Sequence, residues 1–242
     1  MQIAPDTLQI IGIIELIISS IVSFILVIIA YKKYRQKKVS GTLIYTLIFI
    51  FIGLALLSTA ADRILLNPDI STMLGSTFLG LIFHNIAVIL SLVVLALLDS
   101  FAFEMTYPRH VKKLSIVIAI IMGVLAGIIL INQPNIDPSG EIIYSNTLTL
   151  IILPFLLPVI LLPIIIFIYY AISVRKYDLP KSKRAAIMSI GNIIVAISYI
   201  FELTGIVGFI TIIVRLGFVI YVILMYITFV MPNWFKNLIK WE

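Results

Sequence analysis

The chain has 242 residues, of which 62% are hydrophobic and 12% charged, and its formal net charge at pH 7 is +6. Soluble globular domains contain roughly 45–50% apolar and about 25% charged residues, so this composition excludes that class and predicts an integral membrane protein. The lack of cysteine excludes a disulfide framework, a thiolate nucleophile and a cysteine metal site, and two histidines, His84 and His110, are too few for a bis-histidine haem within the membrane span.

Seven apolar runs are long enough to cross a hydrocarbon core of about 30 Å as helices. Cut at the charged and Pro/Gly-rich breaks, they cover residues 8–31, 41–66, 73–105, 113–132, 147–174, 184–204 and 209–231. The first run is too long for a cleaved signal peptide and no basic residue precedes it, so we expect span 1 to stay in place. The prediction is an all-α, polytopic bundle of seven transmembrane helices over residues 1–231, followed by a short tail helix over 232–242.

Basic residues lie on one side of this predicted bundle. Of the 17 lysines and arginines, all but Arg63 and Arg215 fall in loops 1–2, 3–4 and 5–6 or in the tail. Because Lys and Arg are retained on the cytoplasmic side, the N-terminus is predicted to be outside and the C-terminus cytoplasmic, in a multi-pass protein of the cell membrane. The positive charge also favours the lipid bilayer as partner, through its anionic headgroups, over nucleic acid.

Ionisable and amide side chains cluster in the outer half of five spans. Charged groups in a bilayer are costly unless they are paired or hydrated, so each is a candidate for function. At ~1.5 Å per residue, their depths fall within about the outer 17 Å. The residues are Glu15, Asp62, Arg63, His84, Asn85, Glu202 and Arg215.

Helical spacing predicts which of these side chains face the bundle interior. In span 1, Gly12, Glu15, Ser19 and Ser23 share one face, and in span 6 a similar polar stripe recurs at steps of three or four. That stripe consists of Ser189, Asn192, Ala196, Tyr199 and Glu202.

We therefore predict one outer binding site, with no catalytic residue, metal or cofactor. Its predicted ligand-binding residues are Glu15, Asp62, His84, Asn192, Tyr199, Glu202 and Arg215. Glu202 and Arg215 flank the turn between spans 6 and 7 and are expected to pair directly. Asp62 is expected to turn inward, whereas Arg63 is expected to extend to the headgroups. Structural ion pairs and interhelical hydrogen bonds remain the alternative for each single residue.

One loop and two spans carry further signals. Turn residues at 137–140 between β-forming residues predict a hairpin over the outer mouth, either a lid with Tyr144 inward or a simple cap. Gly123 and Gly127 in span 4 permit close helix contact, and packing within the bundle is favoured over dimerisation. In span 5, the three prolines Pro154, Pro158 and Pro163 indicate a bend or hinge, or ordinary tolerance of proline in membrane helices.

The inner ends carry two more candidate features. Asp99 and Glu104 could face the basic loops and latch them, or simply form surface pairs. In the tail, Trp234, Leu238 and Trp241 step onto one helix face, which predicts an amphipathic helix on the inner membrane surface.

The chain resembles the seven-transmembrane sensor module at the N-terminus of some histidine kinases. The likeness covers nearly the whole chain and rests on the basic loop 32–38, the stretch from Asp99 to Glu104, the Gly/Pro-turned outer loop and Lys183-Arg184 leading to Gly191-Asn192. Since no kinase follows, the resemblance implies signalling through a separate cytoplasmic protein. Retinal proteins share the seven-helix layout, but span 7 has no lysine for a Schiff base.

No enzyme signature is present: there is no His-Glu-x-x-His, Gly-x-Ser-x-Gly, phosphate-binding glycine loop or Asp-rich repeat. The expected function is a membrane sensor or receptor-like protein that binds protons or a small or lipid-like ligand in an outer cavity. A small secondary transporter and a non-catalytic subunit of a larger membrane complex are the alternatives. A polar pathway through the inner half favours transport, an outer cavity closed beneath favours sensing, and a large apolar belt favours the subunit.

Overall fold

The computed structural model describes residues 5–132, 134–136, 142–203 and 209–238, except for some side chains, among them that of Glu202. The described helices are α1 (Pro5–Lys37), α2 (Ser40–Leu65), α3 (Pro68–Leu74), α4 (Thr77–Thr106), α5 (Val111–Ile131), α6 (Asn146–Val174), α7 (Leu179–Leu203), α8 (Phe209–Val230) and α9 (Asn233–Leu238). The strands β1 (Asn135–Ile136) and β2 (Ile142–Ile143) pair antiparallel, with Asn135 opposite Ile143.

Within the described chain, seven helices are long and apolar enough to cross a membrane: α1, α2, α4, α5, α6, α7 and α8. Their side chains are apolar on almost every face, which suits helices that contact both lipid and one another. The prediction of an all-α, seven-span bundle is confirmed, and the chain is an integral, multi-pass membrane protein.

The third span begins later than predicted because a short helix precedes it. Asn67 caps α3 by accepting a hydrogen bond from the backbone N–H of Asp69 at 3.1 Å, with Pro68 in the first turn. Gly75 then takes a left-handed conformation, with φ of 60°, and ends α3. Since glycine adopts this conformation without steric cost, the chain turns there and α4 starts only at Thr77.

The two ends of the bundle differ in character. One end, which we call the hairpin end, carries the β1–β2 hairpin and the short helix α3. The opposite end, the basic end, carries the loops that hold 32–38, 109–113 and 175–184 and the start of the tail. The pairing of β1 with β2 confirms the predicted hairpin, whose turn residues lie outside the described residues.

Six helices form a closed ring. Going round it, α4 packs on α2, α2 on α1, α1 on α8, α8 on α7, α7 on α6 and α6 back on α4. The seventh spanning helix, α5, lies outside this ring and packs mainly on α4. The ring brings the polar faces of α1, α2, α4 and α7 toward a common interior.

The glycine pair of α5 does not serve packing within the bundle. A Cβ atom added at Gly123 or Gly127 would meet no atom of the structure within 4 Å. Gly123 lines an open groove between α4 and α5, and Gly127 is half-buried, so the close helix contact predicted for this pair inside the bundle is not made within the described chain.

The proline-containing helix and the tail agree better with what the sequence predicts. α6 runs unbroken for 29 residues through Pro154, Pro158 and Pro163, which fits tolerance of proline in a membrane helix. The first part of the tail is helical, as predicted, and Trp234 packs edge-on against Phe235 at 5.4 Å between ring centroids. Trp241 lies outside the described residues.

Candidate functional site

A chamber of about 110 Å³ lies inside the ring at the hairpin end. Side chains from α1, α2, α4, α7, α8 and the segment after the hairpin line it. These are Leu16, Ala55, Leu56, Thr59, Asp62, Arg63, His84, Ala87, Val88, Ser91, Ile142, Tyr144, Tyr199 and Phe218. Of the seven predicted ligand-binding residues, Asp62, His84 and Tyr199 therefore come together at one cavity.

A chain of hydrogen bonds crosses the chamber from α2 to the hairpin. His84 Nδ1 lies 3.1 Å from Asp62 Oδ2, and His84 Nε2 lies 2.5 Å from the hydroxyl of Tyr144. The Asp62 carboxylate is fully buried, and the His84 side chain is 12% exposed. The imidazole thus connects a buried acid to the strand segment that covers the bundle.

The direction of these hydrogen bonds follows from the chemistry of the three groups. A carboxylate only accepts, so Nδ1 of a neutral His84 donates to Asp62 and its Nε2 accepts. Burial, followed by the influence of Tyr199 and Asp62, raises the pKa of Tyr144, so this hydroxyl keeps its proton and donates to Nε2. A protonated His84 has no free lone pair on Nε2, and Tyr144 would then have to turn its hydrogen elsewhere.

The chain segments immediately before and after Tyr144 fix its position. It directly follows β2, and it precedes Ser145, whose side chain caps α6 by accepting a hydrogen bond from the backbone N–H of Leu148 at 3.2 Å. Of the two sequence alternatives for this loop, the geometry agrees with an inward Tyr144. Whether the loop moves as a lid stays a prediction.

Arg63 does not extend to the headgroups, so that prediction is wrong. Its residue is only 7% exposed, and its Nε lies 3.7 Å from Asp62 Oδ1. Adjacent helix residues point about 100° apart, which is why the sequence pattern separates the two side chains. The long arginine stem bends back to its neighbour instead, because a buried carboxylate is stabilised by a nearby cation.

Tyr199 and Ser91 place two further hydroxyls beneath this chain. Both side chains line the chamber, and Ser91 Oγ donates to the carbonyl of Ala87 at 2.8 Å. The polar stripe predicted on span 6 accordingly reaches the chamber through Tyr199.

Glu15 and Arg215 lie together between α1 and α8. Arg215 is 3% exposed, and its guanidinium lies directly against Gly12, where a side chain would collide with it. Arg215 also interacts electrostatically with Glu15. The Glu202 side chain lies outside the described residues, so its pairing with Arg215 stays a prediction.

Two buried polar residues lie closer to the basic end. Asn192 is 2% exposed and faces the bundle as predicted, but it is not among the described residues that line the chamber. Asp99 is fully buried, with neither carboxylate oxygen hydrogen bonded to a described group. A latch between Asp99 and the basic loops is therefore wrong, whereas Glu104 does accept a hydrogen bond from Ser40 at the start of α2.

A second, largely apolar cavity of about 70 Å³, which we call the limb, adjoins the chamber. The two spaces share Ala55, Leu56, Ser91, Tyr199 and Phe218, and the limb ends among Ile52, Leu95, Leu98, Val195, Tyr221 and Val222.

Aromatic rings fill the bundle below the limb. Tyr45 contacts Phe49, Phe101 and Phe229 at 5.6, 4.4 and 5.2 Å between ring centroids, and Phe101 contacts Phe167 at 6.0 Å. Tyr45 and Phe49 are 1% and 0% exposed. We call these five residues the aromatic layer; it lies between the limb and the basic end.

Comparison with known proteins gives no match: no family model, no curated protein and no solved structure resembles this chain significantly. The geometry of the chamber therefore carries the functional argument.

Proposed function

We propose that this protein is a receptor-like sensor of the cell membrane that responds to protons or to a small ligand in the chamber. In this proposal the hairpin end faces the outside. The basic end faces the cytoplasm and engages a separate signalling protein, in keeping with the resemblance to histidine-kinase sensor modules. The observation that carries the proposal is the buried Asp62–His84–Tyr144 chain, which joins a spanning helix to the segment covering the bundle.

An imidazole at this position suits a proton sensor. Histidine changes charge between about pH 5 and 8, and small changes in its surroundings decide its state. The charged and titratable groups that face His84 are Asp62 and Arg63 from α2 and Tyr144 after the hairpin, with Tyr199 of α7 lining the same chamber. Protonation keeps the contact with Asp62 and reverses the bond to Tyr144, whose oxygen then accepts from the Nε2–H while its own hydrogen needs a new acceptor, so we expect the hydrogen bonding of the hairpin to rearrange at low pH.

The aromatic layer favours sensing over transport. A transported solute needs a path that reaches both ends, whereas packed rings of Tyr45, Phe101 and Phe229 lie across the ring interior below the cavity. The same rings connect α2, α4 and α8, so a movement of α2 at Asp62 would be passed to α8. At the basic end, Lys33 of α1 donates to the carbonyl of Phe229 at 2.6 Å.

The native tryptophans test this coupling. Both of them, Trp234 and Trp241, belong to the tail, which starts at the basic end. In nanodiscs, we expect their fluorescence emission to change with a single transition between about pH 5 and 8. His84→Gln should abolish the transition because it removes the imidazole of the chamber.

His110→Gln is the matched control, since His110 is the second histidine of the chain and lies exposed before α5. The proposal predicts that this variant keeps the transition. A transition that persists in His84→Gln, or no transition in the wild-type protein, would contradict proton sensing at the chamber.

A small secondary transporter is the second candidate, and the buried Asp99 favours it. An unpaired acid within a membrane helix of the basic half is a common feature of ion pathways. In liposomes that contain a pH-sensitive dye, a transporter would carry protons across the membrane and Asp99→Asn would stop the flux. A sensor would give no flux above that of empty liposomes.

A further inference from the structure

The chamber and the limb are adjoining cavities, one with polar groups and one largely apolar, that share five lining residues. The polar part, the chamber, presents Asp62, His84 and Thr59, whereas the limb below it ends among aliphatic side chains such as Leu98 and Val222. A wholly polar ligand would leave the limb unfilled, and a pure hydrocarbon would leave the polar groups without partners. This distribution fits an amphiphile whose head lies at Asp62 and whose tail points toward the aromatic layer.

One polar atom of the chamber lacks a hydrogen-bond donor. Asp62 Oδ2 is satisfied by His84, but Oδ1 has no hydrogen-bond partner among the described groups although the residue is fully buried. Arg63 Nε, at 3.7 Å, contributes charge but no hydrogen bond. A ligand that places an O–H or N–H group here would satisfy a buried oxygen, which is worth more than a hydrogen bond at an exposed position.

The charges in the chamber select against an ionised head. Arg63 Nε lies 3.7 Å from Asp62 Oδ1, so an ammonium group that approaches Asp62 also meets the positive charge of Arg63. A carboxylate that approaches Arg63 meets Asp62 in the same way. An uncharged hydroxyl or amide head avoids both repulsions and still donates to Oδ1.

The space limits the tail. The chamber and the limb measure about 110 and 70 Å³. An apolar cavity of about 150 Å³ accommodates benzene, so a two-chain lipid or a sterol exceeds the room available. We infer that the ligand of the chamber is a small uncharged amphiphile, with one hydrogen-bond-donating head on Asp62 and a short hydrocarbon tail in the limb. This inference rests on the proposed sensing function and names the ligand class of that site.

Photolabelling tests this inference directly. The probe is a hexanol with a diazirine on its chain, used on the wild-type protein in nanodiscs, with labelled residues located by mass spectrometry. We expect labels on α2, α4 and α8 around the limb. At equal concentration in the bilayer, 1-hexanol should displace the probe about tenfold better than hexane, hexylamine or hexanoate, as one buried hydrogen bond implies.

A cavity-filling variant locates the binding. Ala55 lines both cavities, so Ala55→Leu should abolish the labelling, and Ala186→Leu on the exposed face of α7 is the matched control that should keep it. Equal displacement by hexane, stronger displacement by hexylamine or hexanoate, or labelling that survives Ala55→Leu would overturn the inference. The displacement series uses only wild-type protein, so it decides the question even if Ala55→Leu fails to fold.

The tail fluorescence separates this inference from the proposed function. If protons change the emission through His84 but hexanol neither labels the limb nor alters the emission, the ligand class is wrong and the sensing function stands. If hexanol binds as described and neither hexanol nor pH changes the emission, the sensing function is wrong.

Discussion

The hydroxyl of Tyr144 joins the hairpin to the ring through a single oxygen. Tyr144→Phe leaves His84 Nε2 without its donor at 2.5 Å, and an unsatisfied buried polar atom costs about 1–3 kcal/mol, so the free energy of unfolding should fall by that amount. Denaturant unfolding in detergent micelles measures this. Tyr177→Phe is the control, since Tyr177 is 89% exposed; equal stability of the two variants would show that the Tyr144 bond contributes nothing.

Asp62 and Arg63 contribute to the free energy of unfolding as a pair because both side chains are buried. Removal of the cation alone by Arg63→Met leaves a charged carboxylate in the bundle, and breaking such a pair costs about 3–5 kcal/mol. The double variant Asp62→Leu, Arg63→Met should cost clearly less than the sum of the two single changes. A double-mutant cycle of unfolding free energies checks this, and additive costs would mean that the two charges do not interact.

At the scale of the helices, two glycines with opposite surroundings give a matched comparison. A Cβ at Gly80 would lie 2.6 Å from Leu66 Cδ2 and 2.7 Å from Leu66 Cγ, whereas a Cβ at Gly123 meets nothing within 4 Å. Gly80→Ala should therefore destabilise by about 1–3 kcal/mol through overpacking where α4 meets the end of α2. Thermal unfolding of purified protein measures the effect.

Gly123→Ala should leave stability unchanged or raise it by up to about 1 kcal/mol, because alanine favours a helix over glycine. If both variants lose the same stability, Gly123 is packed against something that the ring and α5 alone do not provide.

Hydrophobic runs were enough to predict the seven spans, since length and the lack of charge are the signals of a membrane helix. They could not place the start of α4, because the stop at Gly75 depends on one left-handed residue within an apolar stretch. They also could not show that α5 lies outside the ring, because lipid and protein neighbours favour the same side chains. The position of Gly123 on an open face depends on which helices touch, which composition does not encode.

At the site, periodicity placed Ser19, Ser23, Ser189 and Asn192 inside the bundle correctly. It was wrong for Arg63, whose flexible stem lets the guanidinium leave the direction of its Cα–Cβ bond. The bond between His84 and Tyr144 joins residues 60 apart in the chain, and helix periodicity carries no information across that distance. The outward or inward direction of Tyr144 therefore stayed open until the fold was known.

The orientation of the whole molecule can be tested with single cysteines in a chain that has none. Asp69 is exposed at the hairpin end and Tyr177 is exposed at the basic end. Asp69→Cys should react with a membrane-impermeant maleimide added to intact cells, and Tyr177→Cys should react only after lysis, because positive loops stay cytoplasmic. Reaction of both from the same side would contradict the topology.

In the proposed function, binding of a proton or a ligand in the chamber changes the conformation of the basic end. Spin labels on Lys38→Cys and Tyr177→Cys report the separation of the α1–α2 and α6–α7 connections there. We expect the distance distribution in nanodiscs to shift between pH 8 and pH 5 in an otherwise wild-type background and to stay fixed when His84→Gln is added. A distribution that is the same at both pH values, or a shift that His84→Gln leaves intact, would show that the chamber does not control the basic end through His84.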